Sequence, residues 1–348
     1  MKILIVKVSA LGDVVHALPV LAHIHAVDPF AEVDWLVEEG FSSLLADHPL
    51  IRRVLPLRTR HWRSQTLLKT VREVREFVRE LRSREYDLVF DLQGNCKSGV
   101  CTLLACKRDS YGFDRHQVRE WPNLLATRHH VALGLQDHHI SQRLLAVVRA
   151  ALPSAVQVAP AGPLPVVATA RQRVAEQLAD FAFSGPLVVG VYGTTWQTKL
   201  WDLALWQELV QRLHAERGLR VVLTWGNEEE KRAVEAIAAA AGAQAALVWP
   251  RGSLQELVAL MDRADLVVGC DTGPIHIAAA VGTATVSLYR VTDARRNGPE
   301  GELHDRLQVP LECSPCLRKQ CDEDASCRRA IPVATVYEAI VRRLSNPI

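Results

Sequence analysis

The sequence predicts an α/β protein made of two doubly wound parallel-sheet domains. Three observations lead there. Short continuous apolar runs, as in strands buried on both faces, alternate with segments of helical period. The alternation stops at residues 153–165 (PSAVQVAPAGPLP), which are rich in Pro, Ala and Gly and lack periodicity, and then restarts. At 348 residues the chain is longer than one ordinary core. We therefore expect an N-terminal domain over residues 1–160, a C-terminal domain over 161–332, and a last helix over 333–348 that packs back on the body.

The elements follow in order. Residues 2–8 read as a buried strand and 9–13 as a turn. Val15, Leu18, Leu21 and Ile24 give residues 14–25 one apolar helical face. Strands are expected at 33–37 and 53–57, with a short helix at 42–46 between them. Leu67, Val71, Val74, Val78 and Leu81 recur at helical spacing, so 67–81 is an amphipathic helix with an Arg- and Glu-rich outer face. A strand at 86–92, a helix at 97–106 and a short strand around Tyr111 and Gly112 complete the first half. Beyond the linker, strands fall at 187–192, 219–225 and 247–248. Helices fall at 203–216, closed by Gly218, and at 228–241 and 254–261. The apolar run Leu266, Val267, Val268 then breaks at Asp271-Thr272-Gly273-Pro274 before a helix at 275–281 and a strand at 284–289. In the last helix Val336, Ile340 and Leu344 share a face.

Composition narrows the class. The chain is 49% hydrophobic and 23% charged with a net charge of +2, which makes no global case for nucleic acid. No apolar run approaches the roughly 20 residues that span a bilayer. The opening MKILIVKVSALGD breaks early into a Gly-Asp turn, which suits a first strand better than a signal peptide, so a cytoplasmic protein is expected. Cations cluster at Arg52, Arg53, Arg58, Arg60, His61 and Arg63. Such a cluster suits an anionic substrate or a membrane surface, and equally a solvated loop. Cys96, Cys101, Cys106 and Cys270 are scattered through apolar elements as small core residues.

Several strand ends carry polar residues where open α/β sheets bind ligands. After the strand at 266–268, the helix start near Thr272 and Gly273 offers free N–H groups and a partial positive charge to an anion, and His276 can donate to it. A tight turn with Asp271 as N-cap accounts for the same residues without a ligand. Tyr192-Gly193-Thr194-Thr195, followed by Lys199, presents hydroxyls and an ammonium suited to a diphosphate, or an ordinary hydroxyl-bonded turn with a surface lysine. Trp225-Gly226-Asn227-Glu228 places a ring and a carboxylate where a nucleoside could lie, or supplies core and helix cap. The first turn, Ser9-Ala10-Leu11-Gly12-Asp13, has one glycine and lacks the dinucleotide fingerprint. Asp13 there suits a general base, or a first-turn carboxylate on the helix dipole.

The segments KVSALGDVVHALPVL, YGTTWQTKLW, TWGNEEEKRA and GCDTGPIHIAAA, in this order and spacing, resemble the ADP-heptose:lipopolysaccharide heptosyltransferases over nearly the whole chain. The resemblance implies the GT-B architecture, two Rossmann-like domains facing across a cleft, and inverting transfer of heptose from ADP-heptose without a catalytic metal or other cofactor. It implies Asp13 as the base, and Thr194, Thr195, Lys199, Thr272, Gly273 and His276 around the diphosphate. Asp271 would accept from heptose hydroxyls, and Trp225 belongs to the donor site. Glu228 would lie near the ribose, with Glu229 and Glu230 as alternatives because the loop looks one residue shorter. Arg58-Thr59-Arg60-His61-Trp62-Arg63, Tyr111-Gly112-Phe113-Asp114 and Arg119-Glu120 look most like heptosyltransferase I. That member acts on Kdo2-lipid A, so Arg60, Arg63 and Arg119, with Lys97 as a weaker candidate, would meet Kdo carboxylates and phosphates. A lipid-linked acceptor implies peripheral contact with the cytoplasmic face of the inner membrane of a Gram-negative bacterium.

Cys313, Cys316, Cys321 and Cys327 depart from that pattern and look more like heptosyltransferase II and other relatives. Their spacing is not that of a standard zinc finger. Structural metal, labile disulfides and free thiols beneath the last helix all remain open, with free thiols favoured by compartment. Other readings are heptosyltransferase II, another core-sugar transferase, a nucleotide-sugar 2-epimerase, which would not need the basic loop at 58–63, and a non-catalytic nucleotide-sugar-binding protein.

Overall fold

The computed structural model describes residues 1–159, 161–181 and 185–345. Pro160, inside the expected linker, and residues 346–348, at the end of the expected last helix, lie outside the described residues. The chain divides into two compact units, Met1–Pro160 and Ala161–Ile348.

The first unit holds a six-stranded parallel sheet. Its strands are β1 (Lys2–Val6), β2 (Glu32–Glu38), β3 (Arg53–Leu57), β4 (Tyr86–Asp91), β5 (Lys107–Phe113) and β6 (His129–Val131), in the order β3-β2-β1-β4-β5-β6. The second unit repeats the plan with β7 (Val188–Val191), β8 (Val221–Thr224), β9 (Ala246–Val248), β10 (Leu266–Cys270), β11 (Thr285–Tyr289) and β12 (His304–Gln308), in the order β12-β11-β10-β7-β8-β9. Each unit starts at the middle of its sheet, winds outward, returns to the middle and winds the other way. The turns after β1 and β4, and after β7 and β10, therefore flank a topological switch point, where such sheets open a crevice at the strand carboxyl ends.

The central strands β1, β4, β7 and β10 are apolar along most of their length because helices cover both faces. The helices Leu67–Leu81 and Glu228–Ala241 fall where the periodicity predicts. Helix Leu203–Arg217 ends at Gly218, whose φ of 65° is left-handed. The helix expected at 14–25 is instead two, Leu11–Val15 and Leu18–Val27. Pro19 explains the break, since it lacks the N–H that would bond back across the joint. The basic stretch after β3 is a single helical turn, Thr59–Arg63, rather than an open loop. Trp62 secures it, its ring centroid 5.6 Å from that of Phe77 and its indole N–H donating to Glu73 at 3.2 Å. The edge strand β12 (HDRLQ) is not evident in the sequence, since its pattern is largely polar. In the second unit, helix Val333–Ser345 buries Val336, Tyr337 and Ile340 in the core built on Trp201 and Trp206. Among the described residues no helix is long and apolar enough to cross a membrane.

Candidate active site

In the first unit the turn after β1 runs straight into helix Leu11–Val15. Gln93, from the end of β4, fixes that turn by accepting from the N–H groups of Val8 at 3.2 Å and Ser9 at 3.0 Å. Buried Asp91 in turn accepts from the N–H groups of Gln93 and Gly94 and from the Asn123 amide at 2.7 Å. The two turns at the switch point are thus tied by side chains. Asp13 sits in the first turn of its helix. Its Oδ2 accepts from the Ala10 N–H at 3.3 Å and lies 3.9 Å from the Lys7 ammonium. Its Oδ1 makes no hydrogen bond among the described residues, and the side chain is 36% exposed. Lys7 is buried and donates to the Leu92 carbonyl at 3.0 Å. The first-turn role and the base role are therefore compatible, with one oxygen holding the geometry and the other open.

The basic candidates lie at the carboxyl edge of the same sheet. Arg60 and Arg63 are exposed on the turn after β3, and Arg119 is exposed on the loop after β5. The Arg119 backbone rests over Gly94, where a Cβ would meet its nitrogen at 3.3 Å and where φ is +71°. Lys97 is not merely solvated: its ammonium donates to Glu38 at 2.5 Å and lies 3.4 Å from the Thr59 hydroxyl.

In the second unit the turns after β7 and β10 meet. Asp271 is 5% exposed and is not the N-cap; Thr272 is, and the helix begins at Gly273. No side chain caps that start. The Asp271 carboxylate accepts from Lys199 at 2.7 Å on Oδ2, from His276 Nε2 at 3.3 Å on Oδ1, and from the Asn297 amide at 3.4 Å on Oδ2. Burial alone would raise its pKa, but the His276 hydrogen bond and the Lys199 charge together hold it well below the usual carboxylate range. The Thr194 hydroxyl donates to the Asp271 carbonyl at 3.4 Å, while Thr195 is exposed. Thr194, Lys199, Asp271, Thr272, Gly273 and His276 are thus one cluster. Three protein donors already engage the Asp271 carboxylate, which ties the Lys199 and His276 side chains to one point.

The nucleoside candidates are also rearranged. The Trp225 indole N–H donates to the Trp249 carbonyl at 2.8 Å, and Lys231 and Arg251 lie 5.4 Å and 5.9 Å from its ring centroid. Glu228 is exposed with no hydrogen bond among the described residues, and Glu229 accepts from Gln197. Glu230 is the carboxylate that folds back, accepting from the Gly226 N–H at 2.7 Å. It lies so close over Gly193 that a Cβ there would come within 2.1 Å of its carboxyl carbon. Of the three glutamates, Glu230 is thus the one turned toward the Gly193 turn, while Glu228 faces outward.

Residues 74–326 match glycosyltransferase family 9 (heptosyltransferase). This chain belongs to that family. Lipopolysaccharide heptosyltransferase 1 of Pseudomonas aeruginosa is 38% identical to it over 328 residues, 92% of this chain and 87% of that protein. Lipopolysaccharide heptosyltransferase 1 of Escherichia coli (strain K12) is 30% identical over 316 residues, 90% of this chain and 95% of that one. The solved E. coli heptosyltransferase WaaC with ADP superposes with a TM-score of 0.79 at 28% identity, covering 99% of this chain and 100% of that chain. The chain is thus a glycosyltransferase of the GT-B class, as its motifs implied.

In this heptosyltransferase, sequence reading missed Asn297, Lys7 and Trp196. Asn297 lies in a short helix with no motif to mark it. Lys7 carried a signal, a lysine beside an otherwise apolar strand. Trp196 has Lys199 5.1 Å and Lys319 5.0 Å from its ring centroid. Lys319 belongs to the cysteine segment, which folds against the Thr198 turn: the Thr198 hydroxyl donates to the Arg318 carbonyl at 2.7 Å. Cys313, Cys316, Cys321 and Cys327 are free thiols, and among the described residues no three His, Cys, Asp or Glu side chains come together as a metal site.

Proposed function

We propose that this heptosyltransferase moves L-glycero-D-manno-heptose from ADP-heptose to Kdo2-lipid A, with inversion, at the cytoplasmic face of the inner membrane. What carries the reading is that one unit presents a half-open carboxylate, Asp13, at its switch point and the other presents a cationic, hydroxyl-rich cluster around Lys199 at its own. The relatives named heptosyltransferase 1 favour the first heptose addition over the second. The first unit binds the acceptor and the second binds the donor.

The chemistry follows from the groups present. The acceptor oxygen attacks the anomeric carbon of heptose from the side opposite ADP. The bond to the phosphate oxygen breaks with its electron pair leaving on ADP, and the acceptor proton passes to Asp13 Oδ1. General-base help of this kind contributes about 10²–10⁴ in rate. Charge growing on the departing diphosphate is met by Lys199, Thr194, Thr195, His276 and the Gly273 N–H. Of these donors Thr194, Lys199 and His276 are already held by their contacts with Asp271, which lowers the reorganisation the step needs. Asp271 takes no proton; it holds Lys199 and His276 in place. Trp225 with Glu230 or Glu228 takes the nucleoside. Arg60, Arg63 and Arg119 take the carboxylates and phosphates of the acceptor.

The test is to offer the purified protein ADP-heptose with Kdo2-lipid A and, separately, with heptosyl-Kdo2-lipid A, and to follow the mass of each lipid. A gain of one heptose on Kdo2-lipid A alone is expected. A gain only on the heptosylated lipid would make the chain a second-heptose transferase, and a gain on neither would overturn the proposal.

A further inference from the structure

The apolar stripe of helix Leu67–Leu81 is longer than the core it serves. Its second half packs inward through Phe77 and Leu81, with Val74 and Val78 half-buried. Its first turns overhang the sheet: Leu67 is 77% exposed, Leu68 85% and Val71 39%. This end is held firmly in place, because the Thr70 hydroxyl donates to the Trp62 carbonyl at 3.0 Å and Gln65 and Trp62 both donate to Glu73. The overhang is therefore a built feature of the fold and not a frayed end.

The same layer carries a second exposed apolar group. Helix Cys96–Leu104 shares a core with helix Leu67–Leu81, through Cys101 and Ala105 on one side and Phe77 and Leu81 on the other. On its outer side Val100 and Leu103 are exposed. The 3-10 turn Trp121–Ala126 packs on this helix, its Asn123 and Ala126 closing over Gly99, and leaves Trp121 67% and Leu125 72% exposed. A layer with this much exposed apolar side chain marks an interaction surface.

Charge decides what covers it. Arg60, Arg63 and Lys69 flank Leu67 and Leu68, are exposed, and make no ion pair among the described residues. A symmetric contact with a second copy would set these cations against themselves. An anionic bilayer complements them, and exposed leucines flanked by Lys and Arg, with a tryptophan in the same layer, are what an interfacial surface presents to headgroups and acyl chains.

We propose that the outer layer of the first unit, led by Leu67 and Leu68 with Trp121 and Leu125, seats this enzyme on an anionic lipid surface. It rests on the lipid-borne acceptor of the proposed function, because the seat lies beside the cations assigned to that acceptor. The Lys97–Glu38–Thr59 contacts join the start of helix Cys96–Leu104 to the turn bearing Arg60 and Arg63.

The test is co-sedimentation without substrates, on phosphatidylethanolamine vesicles with about a third phosphatidylglycerol and on phosphatidylcholine vesicles. The wild-type chain is expected to bind the first at low salt and to bind the second weakly. Leu67→Asp with Leu68→Asp should lower binding at least tenfold, and Lys69→Glu roughly fivefold or more. Trp121→Asp, remote in sequence, gives an independent loss. Turnover of a deacylated, water-soluble Kdo acceptor is followed in parallel and should be unchanged in the leucine pair. Wild-type turnover of that acceptor with no vesicle binding, or vesicle binding unmoved by these substitutions, overturns the seat and leaves the sugar transfer standing. Leucine-dependent vesicle binding without heptose transfer overturns the transfer and leaves the seat standing. A dimer in light scattering that Leu68→Asp disperses would also overturn the seat.

Discussion

The two switch points of this heptosyltransferase carry the same residue type in opposite states. After β1, Asp13 is a third exposed, with one oxygen pinned and the other open. After β10, Asp271 is buried and engaged by Lys199, His276 and Asn297. Each unit has the same strand order, so topology does not distinguish them. What differs is the surroundings of each carboxylate. A carboxylate that must take a proton needs a free lone pair and access to the substrate. One that must hold cations needs burial and partners, and is then unsuited to proton transfer because its neutral form is strongly disfavoured. Two units of one topology can therefore present an open or a locked carboxylate, according to what surrounds the turn.

Substitutions at the two positions should separate these roles. Asp13→Ala is expected to lower kcat by about 10²–10⁴. It should leave donor affinity by calorimetry unchanged and shift unfolding free energy by no more than about 0.5 kcal/mol. Near-wild-type turnover would remove Asp13 as the base. Asp271→Ala should do the reverse in stability: it strands the Lys199 ammonium in a site only 15% exposed, and unfolding in denaturant should show a loss of about 3–5 kcal/mol. Equal unfolding free energies for the two variants would mean that the two carboxylates do not differ in what they hold.

Smaller effects sharpen the same picture. Arg60→Ala with Arg63→Ala should raise KM for the anionic acceptor about tenfold and leave KM for ADP-heptose flat. A matching rise in both would mean the turn after β3 does not serve the acceptor alone. Gly193→Ala should push Glu230 off its seat and raise donor KM several-fold, whereas Glu228→Ala should change it little; the reverse ranking would restore Glu228 to the nucleoside.

A separate effect concerns pH. Burial, reinforced by Arg343 and Arg306, lowers the His304 pKa from 6.5 to about 4, so the folded second unit keeps it neutral. The unfolded chain binds that proton near pH 6.5. The stability His304 contributes is therefore full above pH 6.5 and drains as pH falls toward 4. Melting curves of His304→Gln should lose this slope between those limits. A slope equal to wild type would place the pH sensitivity elsewhere.

Much of the architecture was legible because parallel strands buried on both faces leave continuous apolar runs, and helices such as Leu67–Leu81 and Glu228–Ala241 keep strict periodicity. The break before Pro19 was readable from that proline but was hidden by the apolar period running through it. The strand β12 left no signal, since its residues are mostly polar and only partly buried. Which of Glu228, Glu229 and Glu230 folds back on the Gly226 N–H was not readable, because three consecutive glutamates differ only in where the helix start points them.

The linear order of residues determined which turns end which strands, and therefore which hydroxyls, amines and carboxylates stand at the rim. Tertiary structure alone decided what each group is free to do. Asp271 is locked because Lys199 arrives from 72 residues away in the chain, and Asp13 stays open because among the described residues none bonds its second oxygen. Burial and pairing are long-range properties, and it is they that set whether a carboxylate is able to take a proton.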